Sequence, residues 1–264
     1  MQTYTTPCGK TFHCNSLDEA RYVYREIYEE KTYLRNGIQL YHRDNVIDVG
    51  ANIGIFTMFM MEQDLDLEVH AIEPSPDIFK ILLTNVSSYG NRVHTHECGV
   101  SNKSGEDLFI HYPNYSIMSG FGASPDEDMK TLKKGILSNL KENGVNLAEV
   151  SEQVVNRMAR VALGERKEIV CSIKTISEII DHDNIESIGL LKIDAEGSEQ
   201  AIMEGVREDH WKRIRQIVME IHDKDGTASS TIEAFLRSQG YGVILEEERR
   251  LEGSGIVNCY AKLA

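Results

Sequence analysis

The sequence predicts an α/β fold: an open, mostly parallel sheet with helices packed on it and an antiparallel strand near its end. Three observations predict it. From residue 45 onward, short apolar runs alternate with segments of helical period. The last two runs, "YGVILEE" and "GIVNCYAKL", have no helix between them and so pair antiparallel at one edge. With 264 residues, 41% of them hydrophobic, the chain can bury the core such a sheet needs, as one domain with an insertion.

Composition removes several function classes. The net charge of −14, from 28 basic and 42 acidic residues, argues against general affinity for nucleic acid. There is no run of about 18 apolar residues to span a membrane, and "MQTYTTPCGKTFHCNS" lacks the basic and apolar parts of a secretory signal. The 5 cysteines are scattered without a C-x-x-C pair, as in a reduced, cytoplasmic protein.

Residues 1–36 read as an N-terminal hairpin and helix segment, ahead of the main domain at 37–264. Residues 17–34 have helical spacing through Tyr22, Ile27 and Tyr33, with Asp18 as the candidate cap. Strand "NVIDV" then leads to helix "IGIFTMFMMEQ", and strand "EVHAIEP" to helix "PDIFKILLTNVSSYG". Strands "RVHTHECGV", "EDLFIHY" and "EIVCSIK" continue the series. Helix "TISEIIDH", strand "IGLLKIDA", helix "SEQAIMEGV", strand "IRQIVMEIH" and helix "ASSTIEAFLRSQG" lead to the terminal pair. Helices between strands imply right-handed crossovers.

An insertion at about 115–166 interrupts the alternation with two helices in 124–163. Ser124, Pro125 and Glu127 compose a capping box, and "NG" at Asn143 and Gly144 stops the first helix. "NLAE" opens the second, with Leu147, Val150, Val154 and Met158 on one face. Its place over the ligand side of the sheet makes it a lid.

Ligands of such sheets lie beyond the carboxyl ends of the strands, where "DVGANIG" falls. Gly50 permits a sharp turn and close approach, and Gly54 lets the next helix pack against the strand. The spacing is neither G-x-G-x-x-G nor that of a phosphate loop. A pyrophosphate would be repelled by Asp48, whereas a ligand with an ammonium group and no phosphate would be attracted. S-adenosylmethionine has that character. Glu73, ending the next strand in "AIEPSP", is placed to accept both ribose hydroxyls. Taken singly, Asp48 reads equally as a polar strand terminus and Glu73 as a helix-capping acid. In register on consecutive strands they point to the cofactor.

"VIDVGANIGIFT", "AIEPSPDIFKIL", "LLKIDAEGSEQAIMEG" and "VMEIH", in that order, resemble the FkbM family of S-adenosylmethionine-dependent methyltransferases. The resemblance implies a class I methyltransferase fold: a Rossmann-like seven-stranded sheet, mostly parallel, with an antiparallel terminal strand. It also implies methylation of a hydroxyl on a natural product or sugar. Asp48, Gly50, Asn52, Gly54 and Glu73 match the family's cofactor positions. The long helical insertion departs from the pattern and leaves the acceptor open.

An aliphatic hydroxyl needs a base or a metal to become nucleophilic. "KIDAEGSE" supplies Lys192, Asp194, Glu196 and Glu199, and "MEIH" supplies Glu220 and His222. His222 is the candidate general base, oriented by a carboxylate, with Glu220 and Asp194 as partners. Glu199 reads equally as an acid favoured by a helix dipole. Magnesium on Asp194, Glu196, Glu220 and His222 is the rival role, and no metal is expected. His94 and His96 lack an evident third ligand and read as exposed strand residues. "DAEG" is not the Asn/Asp-Pro-Pro-aromatic stretch of many N-methyltransferases, which favours oxygen. Rival classes are a catalytically silent binding module and, disfavoured by the glycine spacing, an NAD-dependent oxidoreductase. Residues 129–167 carry eight basic and four acidic side chains, a local positive field in an acidic chain. The bland reading is a pair of solvated helix faces; the sharper one docks an acyl or peptidyl carrier protein that delivers the acceptor.

Overall fold

The computed structural model describes residues 1–121, 125–142, 144–223, 226–247 and 255–263. It begins with an antiparallel hairpin, β1 (Gln2–Thr5) and β2 (Thr11–Cys14). Helix α1 (Leu17–Tyr24) follows, capped by the Ser16 hydroxyl, which accepts from the Glu19 N–H; Asp18 sits in the first turn instead. The single helix expected over 17–34 is broken. A wide turn at Arg25–Glu29 and a tight one at Thr32–Leu34 succeed α1, with Lys31 between them in the left-handed region at φ 52°. The break lets Tyr33 pack on the helix Ile55–Met61, where its ring meets Phe56 edge-on at 5.3 Å.

Strand β3 (Asn45–Val49), helix α2 (Ile55–Met61), β4 (Glu68–Ile72), α3 (Pro76–Val86) and β5 (Val93–His96) alternate as expected. The chain then leaves the sheet through β6 (Gly99–Val100), β7 (Gly105–His111), β8 (Gly120–Phe121), helices α4 (Pro125–Glu142) and α5 (Glu152–Leu163), and β9 (Lys167–Lys174). It returns with α6 (Ile176–His182), β10 (Ile188–Ile193), α7 (Glu199–Glu204), α8 (Glu208–Trp211) and β11 (Gln216–His222). Helix α9 (Ala228–Ser238), β12 (Tyr241–Glu247) and β13 (Ile256–Leu263) complete it.

The seven-stranded sheet has the order β12-β13-β11-β10-β3-β4-β5. Every neighbouring pair among β11, β10, β3, β4 and β5 is parallel, and β13 runs antiparallel to both β11 and β12. The antiparallel ending is therefore as expected, with one difference. Strand β13 lies between β11 and β12, because the α9 crossover skips a place that the return strand then fills. Alternation sorts the strand residues into two layers. Ile47, Val49 and Leu191 pack with Ile176 and Ile179 of α6 on one face. Val46, Leu190 and Val218 pack with Phe12, Phe56 and Met60 on the other. Each such side chain, fully buried, contributes about 1.5–3 kcal/mol.

The runs "EDLFIHY" and "EIVCSIK" do not extend this sheet. They become β7 and β9 of a second, four-stranded sheet in the order β6-β9-β7-β8. Strands β7 and β9 pair antiparallel from Gly105 opposite Ile173 to His111 opposite Lys167, so the departure is wider than about 115–166. Helices α4 and α5 are carried on this ribbon, with Leu132, Ala159 and Leu163 packed against Ile110 and Tyr112. The capping box at Ser124 and Glu127 and the stop at Asn143 lie outside the described residues and side chains. The Asn146 side chain caps only a short turn, Leu147–Glu149, and α5 starts later under a Ser151 cap. That shift rotates the buried face: Val155 and Ala159 point inward, while Val154 and Met158 are exposed. Among the described residues no helix is long and apolar enough to cross a membrane.

The reading of His94 and His96 as exposed strand residues is corrected. His96 is buried and His94 half-buried, because the end of α6 covers this edge of the sheet and Asp183 meets the His96 ring at 2.8 Å.

Candidate active site

The carboxyl ends of β3, β4, β10 and β11 open onto a cavity of about 440 Å³, roofed by α4 and by Met158 of α5. Its size is that of a small-molecule site. Glu73 and Asn52 stand among its walls, as do Lys192, Asp194, Glu196, Glu220 and His222. In the strand register Lys192, Glu220 and His222 share one face of the sheet, and Glu73 and Asp194 stand just beyond the ends of β4 and β10, so all five meet in one crevice.

The glycine loop is shaped by the protein itself. Gly50 has φ +73°, and a Cβ there would lie 1.8 Å from the Asp194 carbonyl oxygen. The close approach is therefore between the β3 loop and the end of β10, and any side chain at Gly50 would drive them apart. A Cβ at Gly54, φ +87°, would lie 2.6 Å from Leu82 of α3, so this glycine seats α2 against a helix rather than a strand. Asn52 takes a left-handed turn at φ 49°, which asparagine tolerates. Its N–H donates to Glu73 Oε2 at 3.0 Å and its amide to the Ser116 hydroxyl at 3.3 Å, tying the loop to the segment below the lid.

Glu73 faces the cavity. Its other oxygen accepts from the Ser75 N–H at 2.9 Å, so each oxygen keeps a further lone pair for a diol. Burial pushes its pKa up to about 7, against the pull of the Ser75 and Asn52 N–H groups.

Asp48 does not face the cavity, contrary to its reading as a direct cofactor contact. Its carboxylate is fully buried, accepts from the Thr57 hydroxyl at 2.7 Å and pairs with Lys192 Nζ at 3.2 Å. Lys192 donates to the Gly50 carbonyl at 2.9 Å and lies 3.5 Å from Asp194 Oδ2. Burial alone would lower the Lys192 pKa, yet Asp48 and Asp194 hold it above the ordinary value, so it stays charged. Asp194 also accepts from the Tyr33 hydroxyl at 3.0 Å. Asp48, Lys192, Asp194 and Tyr33 thus form one chain of contacts, of which Lys192, Asp194 and Tyr33 line the crevice and Asp48 does not.

His222 is held differently from the expected base. Its Nδ1 lies 3.1 Å from Glu199 Oε1, its Nε2 3.1 Å from Glu196 Oε2, and Glu220 Oε1 is 3.6 Å away. Desolvation acts to lower its pKa, but Glu196 and Glu199 raise it well above the usual imidazole range. With both nitrogens protonated, the ring has no lone pair to accept a proton at neutral pH. The carboxylates face the opposite pressure: burial first, then neighbouring acids, raise Glu220 well above its ordinary value, and burial raises Glu196.

Glu73, Asn52, Asp194, Glu220 and His222 are therefore brought together, while Asp48 is set behind them. Sequence reasoning missed Tyr33, whose apolar spacing hid a working hydroxyl, and undervalued Glu199, which is buried against His222. A diol acceptor at one end and a nest of acids at the other fit a ligand with a ribose and a cationic centre. S-adenosylmethionine has both: Glu73 would hold its ribose, and Asp194 and Glu220 would face its positive end.

Residues 48–243 match the family described as "Methyltransferase FkbM domain". Over 262 residues the chain is 36% identical to the 31-O-demethyl-FK506 methyltransferase FkbM of Streptomyces tacrolimicus, covering 99% of this chain and 97% of that one. It is 32% identical over 263 residues to the AMB antimetabolite synthetase AmbE of Pseudomonas aeruginosa, covering 97% of this chain but 12% of that longer protein. Among solved structures, Aeropyrum pernix fibrillarin with natively bound S-adenosylmethionine is a loose likeness: TM-score 0.47, 12% identity, 98% of this chain and 81% of that one.

Proposed function

Because the chain belongs to the FkbM family of S-adenosylmethionine-dependent methyltransferases, we propose that it methylates a hydroxyl oxygen of a natural-product intermediate or sugar. One observation carries this reading: three acids, Asp194, Glu196 and Glu220, line the cavity around His222. An alcohol must lose a proton as it attacks, and a buried carboxyl of raised pKa is suited to receive it. The family's relative named for a 31-O-demethyl substrate supports oxygen as the target atom.

When bound, S-adenosylmethionine supplies an electrophilic methyl group on a sulfonium. Glu73 and Asn52 hold the ribose end, while Lys192 and Tyr33 fix Asp194 at the other. Glu220, as its carboxylate, would accept the proton of the attacking hydroxyl. His222 keeps Glu196 and Glu199 in place and stabilises the ionised form of Glu220. Asp48 acts through Lys192, as a positioning residue. Helices α4 and α5 exclude water and align the acceptor.

The carrier-delivered acceptor is part of the same proposal. A synthetase in which the matching stretch is 12% of the protein supports it, as do the exposed Arg157 and Arg160 on the outer side of the lid. The test is transfer of labelled methyl from S-adenosylmethionine to alcohols, amines and carrier-bound hydroxyacyl chains. Label on the hydroxyl oxygen, faster for the carrier-bound form at low salt, is expected. Label on nitrogen or carbon would overturn the oxygen assignment. Equal salt dependence for free and bound acceptors would overturn the carrier.

A further inference from the structure

Four of the 9 histidines lie away from the crevice, at the β4–β5 edge of the sheet where α6 ends. Three of them surround one carboxylate. His70 Nδ1 and His96 Nε2 lie 2.6 and 2.8 Å from the same oxygen, Asp183 Oδ2, and His182 Nδ1 lies 2.6 Å from Asp183 Oδ1. His94 stacks on His70 with ring centres 4.7 Å apart, and its Nε2 is directed at Glu68 from 3.5 Å. That Nε2 is buried and makes no hydrogen bond among the described residues. The ligand atoms of His70, His96 and Asp183 all lie within 4.8 Å of one another, as do those of Glu68, His70 and His94.

We propose that His70, His96 and Asp183 form a binding site for a divalent transition-metal ion of the zinc class, distinct from the methyl-transfer crevice. The backbone builds the site. His70 pairs with His94 and Ile72 with His96 in the parallel register of β4 and β5, so alternation sends the rings of His70, His94 and His96 to one face. The end of α6 delivers His182 and Asp183 onto them. Two imidazole nitrogens and a carboxylate oxygen suit zinc, cobalt or nickel; magnesium and calcium prefer oxygen throughout. At zinc–ligand distances of about 2.0–2.1 Å in a tetrahedral site, the Asp183 oxygen and the two imidazole nitrogens need to move apart by roughly 0.5–0.7 Å. His70 is 1% and His96 8% exposed, so the inner ligands are held by packing. The His182 side chain is 68% exposed, which opens a path from solvent. An ion there would clamp α6 to the edge strand and leave methyl transfer untouched.

The test is titration of the purified full chain with cobalt(II), followed by displacement with zinc. The expected result is visible ligand-field absorption that saturates at one ion per chain and is lost on adding zinc. In His96→Gln and Asp183→Asn, apparent affinity should fall at least tenfold, while exposed His42→Gln leaves it unchanged. Zinc should also raise the melting temperature of the wild-type chain, and chelation should leave its methyl transfer intact. Absence of the bands in the wild-type chain overturns the site, whatever the variants do. Bands of equal affinity in His96→Gln and Asp183→Asn overturn it too, leaving a hydrogen-bonded cluster only.

Discussion

Asp48 and Glu73 end neighbouring parallel strands and look equivalent in sequence, yet the fold uses them in opposite ways. Asp48 is still inside the ladder, level with Ala71, because β3 runs on through Val49. Its side chain is committed to one face, under α2, where Thr57 and Lys192 neutralise it. Glu73 stands one residue beyond the end of β4, so its side chain turns toward the cavity and its charge is left uncompensated by any cation at hydrogen-bond distance among the described residues. One residue of strand length separates a charge that the protein satisfies from a charge that a ligand must satisfy.

The largest effect should come from breaking the inner pair. Lys192→Met leaves Asp48 buried without its cation and should cost about 3–5 kcal/mol in urea unfolding. Adding Asp48→Asn should restore much of that loss. If Asp48→Asn alone weakened cofactor binding with stability unchanged, the two acids would be alike after all and the comparison would fail.

Glu220→Gln should lower kcat by about 10²-fold while the melting temperature holds or rises, since a buried acid is removed. A fall in cofactor affinity of the same size, with kcat intact, would place Glu220 in binding instead. Glu73→Gln should show the converse pattern. Calorimetry should read a loss of about 1–3 kcal/mol in S-adenosylmethionine binding, with the fold intact.

The smallest effect sharpens the comparison through protons. Glu73, with its pKa near 7, is partly protonated at neutral pH in the free protein. A ribose and a cation both favour its carboxylate form, so binding should release a fraction of a proton at pH 7, and affinity should rise as pH passes through that value. Calorimetry in two buffers of different ionisation heat reads the release, and Glu73→Gln should reduce it. The same raised pKa gives the ligand-free chain a stability contribution present below about 4.5 that is lost as pH rises toward 7. Asp48→Asn should leave the proton release unchanged.

The central sheet was legible because its strands are buried on both faces and read as continuous apolar runs between helical segments. The glycine loop and Glu73 were legible because strand ends carry the ligand side of this architecture. The second sheet was not, since the pairing of β7 with β9 joins segments separated by the two lid helices and leaves no local signature. The state of His222 was hidden for a related reason. "MEIH" offers one carboxylate near the ring, whereas the fold adds Glu196 and Glu199 from the loop and helix after β10. Charge on a histidine depends on neighbours that the linear sequence scatters. His96 was misjudged likewise, because nothing in "HTH" announces Asp183.

The position of β13 has a consequence for the order in which the molecule assembles. It pairs with β11 from Gln216 opposite Lys262 to His222 opposite Ile256, inside the sheet, although it is the last strand in chain order. Until it arrives, β11 presents an open edge of unpaired N–H and C=O groups, and β12 has no neighbour to join. A ribosome releases β11 well before β13, so the nascent chain passes through a stage in which the strand that carries Glu220 and His222 is a template for stray pairing. The methyl-transfer crevice acquires its final wall only when the closing strand slots in.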